Sequence, residues 1–265
     1  MAATRAVLLT AALAAVSLVG IPLQALALAT GSPLARTIPV LYHRIVGRLA
    51  GIRRTVVGRP AEGRPLLLAG NHVSWLDIPV LSAVLPVSFV AKREVASWPV
   101  FGLFAKLQRS VFVDRERRSL TAETAAEMAG RLAEGDVLML FAEGTSGDHN
   151  RVLPFRTALI GAARAAIAGG SAATVWVQPV SIAYTRWNGL PVGRRERPRL
   201  AWYGDMDLGP HLWRVLKEGR IDAVVTFGAP IAVGQDDDRK AVAALAEASV
   251  RAMTRAAQRG EAVSA

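Results

Sequence analysis

A histidine and an aspartate, His72 and Asp77, are separated by four residues and follow a short apolar run. The run Leu66–Ala69 is typical of a buried strand, and residues 76–85 have a helical pattern, so His72 is predicted to lie in a strand-to-helix loop. A histidine there can act as a general base if a carboxylate holds its tautomer and stabilises the imidazolium. Positions five apart on one continuous helix point away from each other, so this pairing depends on the loop. Taken alone, such a pair is more often an ordinary loop histidine beside an ordinary carboxylate.

A second group of polar residues follows another predicted strand. The apolar run Val137–Leu140 precedes a carboxylate, a glycine and two hydroxyls, at Glu143, Gly144, Thr145 and Ser146. Ligands of open α/β sheets bind at the carboxyl ends of strands, where glycine lets a backbone approach a ligand and hydroxyls form hydrogen bonds. A plain turn is the alternative interpretation of this stretch.

Two more apolar runs end in residues that could join the same site. Val111–Val113 is followed by Asp114-Arg115, and an arginine there can hold a phosphate with two hydrogen bonds. An exposed ion pair between these two residues is the alternative. The last stretch, Gln178-Pro179-Val180-Ser181, is structural unless the other three define a site.

Together the four stretches resemble the four sequence blocks of the glycerolipid acyltransferase family, which is typified by lysophosphatidate acyltransferase. The likeness extends over residues 66–182, in the family's order and spacing. The first block matches Asn71, His72, Ser74 and Asp77; the second matches Lys92, Glu94, Pro99, Gly102 and Arg115; the third matches Phe141, Glu143, Gly144 and Thr145; the fourth resembles Gln178-Pro179-Val180.

Two positions depart from the family pattern. Ala142 stands where proline is usual, and Ser146 stands where many members have arginine. The loss of that arginine removes a cation near a phosphate, so it leaves the acceptor headgroup open. Residues 148–151 and 203–207 are more similar to a bacterial subgroup that acylates lyso-ornithine lipid.

The resemblance implies transfer of an acyl chain from a thioester, on acyl-carrier protein or coenzyme A, to a lipid hydroxyl, with no further cofactor and no metal. His72 would take the hydroxyl proton and Asp77 would orient His72. Substrate binding is implied for Ser74, Arg115, Glu143, Gly144 and Thr145. Lysophosphatidate, which would give phosphatidate, is the first expected acceptor, and lyso-ornithine lipid is the second.

The composition predicts association with a membrane. Of the 265 residues 52% are hydrophobic, and residues 6–29 contain no charged residue. As a helix this run would be about 36 Å long, enough for a hydrocarbon core of about 30 Å. We expect an uncleaved anchor; a cleaved signal peptide is one alternative, and a helix that kinks or ends early at Pro22 and only enters the bilayer is another. More arginines follow the run than precede it, so we expect the remaining chain on the cytoplasmic side of the inner membrane.

The net charge of +11 and the pI of about 11.1 favour acidic partners. Anionic lipid headgroups, phosphate-bearing substrates and an acidic carrier protein all fit. Nucleic acid is not expected, because the six tryptophans are scattered among apolar runs rather than interleaved with basic residues. Cysteine is absent, which excludes disulfides and a thiol nucleophile. Residues 40–52 have apolar side chains at helical spacing and could lie on the membrane or, alternatively, on the domain.

Alternating apolar runs and helical patterns predict an α/β layered domain whose largely parallel central sheet is flanked by helices and preceded by an N-terminal membrane helix. The predicted strands are Leu66–Ala69, Val87–Ala91, Val111–Val113, Val137–Ala142, Val175–Ala183 and Ala223–Phe227. The predicted helices are Leu76–Leu85, Val95–Leu107, Leu120–Ala133, Thr157–Ala168, His211–Lys217 and Ala241–Ala257.

The chain divides into a membrane-anchoring and basic segment, residues 1–55, and an acyltransferase domain, residues 56–265. No histidine cluster has the spacing of metal ligands. His149 is expected in a solvated loop, with contact to the headgroup as the alternative. A non-catalytic, membrane-anchored lipid-binding protein of the same fold is the remaining alternative, and the presence of both His72 and Asp77 argues against it.

Overall fold

Nine strands form one mixed, mostly parallel sheet in the computed structural model, which describes residues 2–113, 118–157, 167 and 173–261. The strands are β1 Ile52–Val57, β2 Leu66–Gly70, β3 Ser88–Lys92, β4 Val111–Val113, β5 Val137–Phe141, β6 Val175–Trp187, β7 Leu190–Pro191, β8 Ile221–Phe227 and β9 Ile231–Val233. The sheet order is β1-β8-β6-β2-β5-β3-β4, and β7 and β9 also pair with β6.

The helices of the described chain are α1 Ala2–Ala29, α2 Leu34–Ala50, α3 Asp77–Ser82, α4 Phe101–Leu107, α5 Arg118–Ala133, α6 Arg197–Leu200, α7 Leu208–Glu218 and α8 Arg239–Arg259. A 3₁₀ helix, Arg93–Ser97, precedes α4. They cover both faces of the sheet, as the sequence predicts for an α/β domain.

Strand β2 shows why both faces carry a core. Successive side chains of a strand point to opposite faces, and all of β2 is apolar or glycine. Leu66 and Leu68 pack with residues of α3 and α7, whereas Leu67 and Ala69 pack with residues of α5 and α8. The central strands are therefore buried on both sides, which explains their continuous apolar runs.

The pairing of β2 with β5 brings two of the predicted site stretches together. The two strands are parallel neighbours, and Gly70 at the end of β2 lies opposite Phe141 at the end of β5. Parallel strands place their carboxyl ends at one edge of a sheet, so the loop after β2 and the loop after β5 meet there. Strand β6, parallel to β2 on its other side, continues past the same edge.

The predicted strands are all present, with ends shifted by up to four residues. The prediction of one continuous helix over Val95–Leu107 is wrong, because the structure has the 3₁₀ helix and α4 in its place. Trp98, at ψ 133°, lies between them in an extended conformation that a following proline, here Pro99, favours. The prediction Thr157–Ala168 falls almost entirely outside the described residues.

The N-terminal segment is more continuous than Pro22 suggests. Helix α1 runs through Pro22 to Ala29, so an early end at this proline is wrong. It is long and apolar enough to cross a membrane. Helix α2 packs on α1 and α3, while Leu41 on α2 stays exposed. The division at residue 55 stays a prediction; β1 spans it and pairs with β8.

Candidate active site

The loop that carries His72 is fixed to the sheet at its first residue. The side-chain amide of Asn71 donates to the carbonyl oxygen of Ile182 and accepts from the N–H of Ile182, both at 2.9 Å. Asn71 is buried, so these two bonds satisfy its amide inside the protein. They hold the start of the loop in register with β6.

His72 and Asp77 are paired across this loop, as the sequence predicts. The Nδ1 atom of His72 lies 2.8 Å from Oδ2 of Asp77. The same oxygen accepts the backbone N–H groups of Val73 at 2.7 Å and Ser74 at 3.0 Å. Because the carboxylate can only accept, Nδ1 of His72 carries the hydrogen and Nε2 keeps its lone pair. This is the tautomer that a general base requires.

The imidazole of His72 is held in place yet remains accessible. It stacks on the ring of Phe141, with centroids 4.0 Å apart and planes 17° apart. Its side chain is 20% exposed, whereas Asp77 is fully buried. A substrate can therefore reach the base while the carboxylate behind it stays out of water.

Tyr184 is a further contact of Asp77 that sequence reasoning missed. Its phenol donates to Oδ1 of Asp77 at 2.6 Å, and the whole side chain is buried. Burial and the adjacent carboxylate raise the pKa of Tyr184, so it stays a protonated donor. Tyr184 lies 107 positions from Asp77 and directly after the predicted end of its strand, so the sequence offered no local signal.

Glu143 connects the loop after β2 to the loop after β5 through hydrogen bonds to their backbones. Its Oε2 accepts the N–H of His72 at 3.2 Å and its Oε1 accepts the N–H of Leu153 at 3.0 Å. The side chain is buried, and this burial raises the pKa of Glu143 to about 8 despite the two backbone hydrogen bonds. Since both oxygens already have backbone donors, the geometry indicates that Glu143 positions the loops; its predicted contact with substrate stays a prediction.

The other predicted binding residues occupy different environments. Gly144, at φ 75°, lies under Arg156, and a Cβ there would come within 2.7 Å of Cδ of Arg156. Thr145 beside it is exposed. Ser74 is fully buried, and its hydroxyl has no hydrogen-bond partner within the described residues. Arg115 lies outside the described residues.

His149 corrects the expectation of a solvated loop residue. It is only 3% exposed, and its Nε2 accepts the N–H of Tyr184 at 3.2 Å. Burial lowers the pKa of His149 to about 4, so the ring is neutral at pH 7 and can accept this bond. Gln258 of α8 donates to its carbonyl oxygen at 2.9 Å. His149 therefore ties the loop after β5 to β6 and α8.

The geometry assembles a general-base site. Within the part of the chain that the structure describes, His72 contacts no serine or threonine hydroxyl, and no group of three metal-binding side chains occurs. Nε2 of His72 can instead take a proton from a bound hydroxyl group, while Asp77 stabilises the resulting imidazolium. Fold and site together define an α/β protein with an accessible histidine that can take a proton from a hydroxyl group.

Comparison with known proteins identifies the family. The acyltransferase family model matches residues 53–183. The chain is 54% identical over 256 residues to the lyso-ornithine lipid O-acyltransferase of Brucella abortus (strain 2308), covering 97% of this chain and 96% of that protein. It is 34% identical over 199 residues to the 1-acyl-sn-glycerol-3-phosphate acyltransferase of Neisseria gonorrhoeae, covering 74% and 73%.

A solved structure agrees in fold. The 1-acyl-sn-glycerophosphate acyltransferase of Thermotoga maritima superposes with a TM-score of 0.66 at 19% identity, over 97% of this chain and 98% of that one. The chain belongs to the acyltransferase family, which confirms the resemblance of the four blocks. It is an enzyme of lipid biosynthesis that acylates lysolipids.

Proposed function

We propose that this enzyme transfers an acyl chain from a thioester donor to the hydroxyl group of lyso-ornithine lipid. The support for this acceptor is the 54% identity to the Brucella abortus enzyme over 97% of the chain, against 34% over 74% for the Neisseria gonorrhoeae enzyme. Ser146, which stands where many family members have arginine, agrees with an acceptor that lacks a phosphate. The observation that carries the acyl transfer itself is the 2.8 Å bond between His72 and Asp77.

Lysophosphatidate, the first acceptor expected from the sequence, is the second candidate. It is favoured by the order and spacing of the four blocks and by the net charge of +11, which suits a phosphate-bearing substrate. Arg115 at the end of the second block would be the cation for that phosphate.

In the proposed reaction His72 acts at Nε2. It removes the proton of the acceptor hydroxyl as that oxygen attacks the thioester carbonyl carbon. The new carbon–oxygen bond gives a tetrahedral intermediate, which collapses as the carbon–sulfur bond breaks. The leaving thiolate takes this proton from His72, so an ester and a free thiol are the products. Asp77 stabilises the imidazolium between these two proton transfers.

The remaining groups would bind the substrates. The buried hydroxyl of Ser74, or a backbone N–H beside it, would stabilise the oxyanion. Arg115, Glu143, Gly144 and Thr145 would form the headgroup side of the site, Glu143 by shaping the loop. Acyl-carrier protein or coenzyme A would present the acyl chain, and no other cofactor is needed.

We place the enzyme at the inner membrane, with the catalytic domain on the cytoplasmic side and α1 as the anchor. The arginines that follow α1 support this orientation. They also suit a membrane surface with anionic lipids.

The test compares membranes that contain the wild-type chain, His72→Ala or His43→Gln, each with labelled acyl donor and either lysolipid. His43, a half-buried histidine of α2 whose ring lies 3.2 Å from the side-chain oxygen of Gln108, is the matched control. Transfer to lyso-ornithine lipid that is lost only in His72→Ala supports the proposal. His72-dependent transfer to lysophosphatidate alone would move the second candidate to first place. No His72-dependent transfer to either acceptor would overturn the mechanism.

A further inference from the structure

A short apolar segment follows the 3₁₀ helix and includes the first four residues of α4. We call residues 98–104, Trp-Pro-Val-Phe-Gly-Leu-Phe, the apolar tip. Val100 is 60% exposed and Leu103 is 45% exposed. Val100 also has φ 63°, a backbone region that β-branched residues rarely occupy. Large apolar side chains that stay exposed next to one another mark an interaction surface.

The apolar tip adjoins the long apolar helix α1. The side chain of Gln24 on α1 donates to the carbonyl oxygen of Leu107, the last residue of α4, at 2.9 Å. Leu103 and Leu107 are four positions apart on α4, so they lie on one face of that helix. The exposed face of the apolar tip therefore leads directly to α1.

On α1 the apolar surface continues. Leu23 and Leu26, which flank the buried Gln24, are both exposed. Phe104 meanwhile packs on Tyr42 of α2, with ring centroids 5.8 Å apart, which fixes the apolar tip against the α1–α2 pair. The helix long enough to cross a membrane and the apolar tip therefore lie next to each other, and both expose apolar side chains.

Basic side chains surround the apolar tip. Lys92, Arg93 and Lys106 are exposed on either side of it, and Glu94 is the single acid between residues 92 and 107. An apolar surface bordered by lysine and arginine is the pattern of a segment that rests in the interface of an anionic bilayer.

The apolar tip is also connected to the catalytic loop. Trp98 contacts Trp202 edge to face, with centroids 6.1 Å apart. The N–H of Trp202 donates to the carbonyl oxygen of Val73 at 2.9 Å, one residue from His72. A segment that touches lipid at Val100 would therefore place the rim of the catalytic loop at the bilayer surface.

We propose that the apolar tip enters the lipid bilayer beside α1 and forms a second membrane contact of this enzyme. The partner is the bilayer itself, with anionic headgroups against the basic side chains. This contact would bring His72 to the depth at which a lysolipid presents its hydroxyl group, without the lipid leaving the membrane. The contact does not depend on which lysolipid is the acceptor.

The absence of cysteine makes a direct test possible. The full chain with Leu103→Cys is labelled with nitrobenzoxadiazole and reconstituted into vesicles of phosphatidylcholine and phosphatidylglycerol. Leu245→Cys is the matched control: Leu245 is also a leucine, is 60% exposed, and lies on α8, whose core is on the other sheet face from that of α3. Val100→Cys repeats the test in case the label at position 103 disturbs α4.

In vesicles the fluorescence of a label at position 103 or 100 should shift to shorter wavelength. Lipids brominated in their acyl chains should quench this fluorescence, and aqueous iodide should not. The label at position 245 should stay open to iodide. Labels at 103 and 100 that behave like the label at 245 would overturn the proposal. Labels in vesicles that are shielded from iodide but are not quenched by the brominated lipids would point to a second copy of the chain and would also overturn it. The readout needs no acyl transfer, so its failure is separate from failure of the proposed function.

Discussion

Two buried aspartates at opposite edges of the same sheet have very different partners. Asp136, at the amino end of β5, contacts three arginines: Arg36 at 3.0 Å, Arg109 at 3.1 Å and Arg131 at 2.6 Å. Asp77, beyond the carboxyl end of β2, contacts a histidine, a tyrosine and two backbone N–H groups. No lysine or arginine lies within ion-pair distance of Asp77 in the described chain.

In the proposed mechanism this difference separates a carboxylate that stabilises the fold from one that serves the reaction. Three arginines already compensate the charge of Asp136, so this carboxylate would add little stabilisation to a further positive charge. Neutral donors hold Asp77 in place without cancelling its charge, so that charge remains available when His72 becomes an imidazolium. The partners of a buried carboxylate, rather than its burial, indicate its role.

The largest expected effect comes from removing the base that Asp77 serves. His72→Ala should lower kcat by at least about 10²- to 10⁴-fold, the usual contribution of a general base. Steady-state assays with labelled donor measure this, and circular dichroism should show unchanged folding. A variant that turns over at nearly the wild-type rate would exclude His72 as the base.

Replacing each aspartate by asparagine tests the contrast between Asp77 and Asp136 directly. Asp77→Asn should lower kcat by about 10²-fold or more, because the amide gives the imidazolium no counter-charge. Asp136→Asn should keep kcat and lower the free energy of unfolding by about 2 kcal/mol, less than a fully buried pair because Arg36 is half exposed. Urea unfolding and kinetics on the same samples would show whether the two effects separate; similar kcat losses in both variants would contradict the contrast.

Glu143 extends the comparison to a carboxyl group with only backbone partners. The folded protein holds its proton up to about pH 8, whereas the unfolded chain loses it near the ordinary value of 4.5. Stability therefore falls as the pH rises between these values, by about 2 kcal/mol from pH 6.5 to 8.5 at 1.36 kcal/mol per unit. His149, whose pKa is lowered to about 4, is neutral in the folded protein throughout this window. In the unfolded chain its titration is centred on the ordinary value of 6.5, at the lower end of the window, and opposes the Glu143 effect there by less than about 0.5 kcal/mol.

Unfolding of wild type and Glu143→Gln at both ends of this window measures the slope. The glutamine variant should lose less stability than wild type on going to pH 8.5. Equal losses of stability in the wild type and in Glu143→Gln would show that Glu143 is already ionised in the folded enzyme at pH 6.5.

The smallest expected effect concerns the donor behind Asp77. Tyr184→Phe should lower kcat about tenfold, the equivalent of 1.4 kcal/mol, and leave both KM values unchanged, since the phenol touches Asp77 and not the substrates. Ser181→Ala is the matched control: Ser181 is buried on the same strand, and its hydroxyl pairs with Thr254 at 2.7 Å. The control should lose stability without loss of kcat. Equal kcat values in the two variants would remove Tyr184 from the site.

The parts of the site that the sequence predicted are local in the chain. His72 and Asp77 lie on one loop, and an apolar run before each site stretch marks a strand end, so residue order alone brings them to one edge. Tyr184 and His149 depend on pairings across 107 and 35 positions, which no local pattern encodes. Strand β1 was missed because it is an edge strand whose run is interrupted by Arg53 and Arg54. Burial of His149 follows from the path of the loop after β5, which propensity does not specify.

Gln24 gives α1 a property that its hydrophobicity alone could not provide. Its buried amide donates to the carbonyl oxygens of Ala35 and Leu107, both at 2.9 Å, so it joins α1 to α2 and α4 at once. A purely apolar helix in lipid is free to rotate about its own axis, because every side is equally well solvated. Gln24 removes this freedom, because rotating α1 about its axis would break both hydrogen bonds and leave the amide N–H groups of Gln24 in hydrocarbon. As the proposed membrane anchor, α1 is thereby oriented relative to α2 and α4 as well as attached to them.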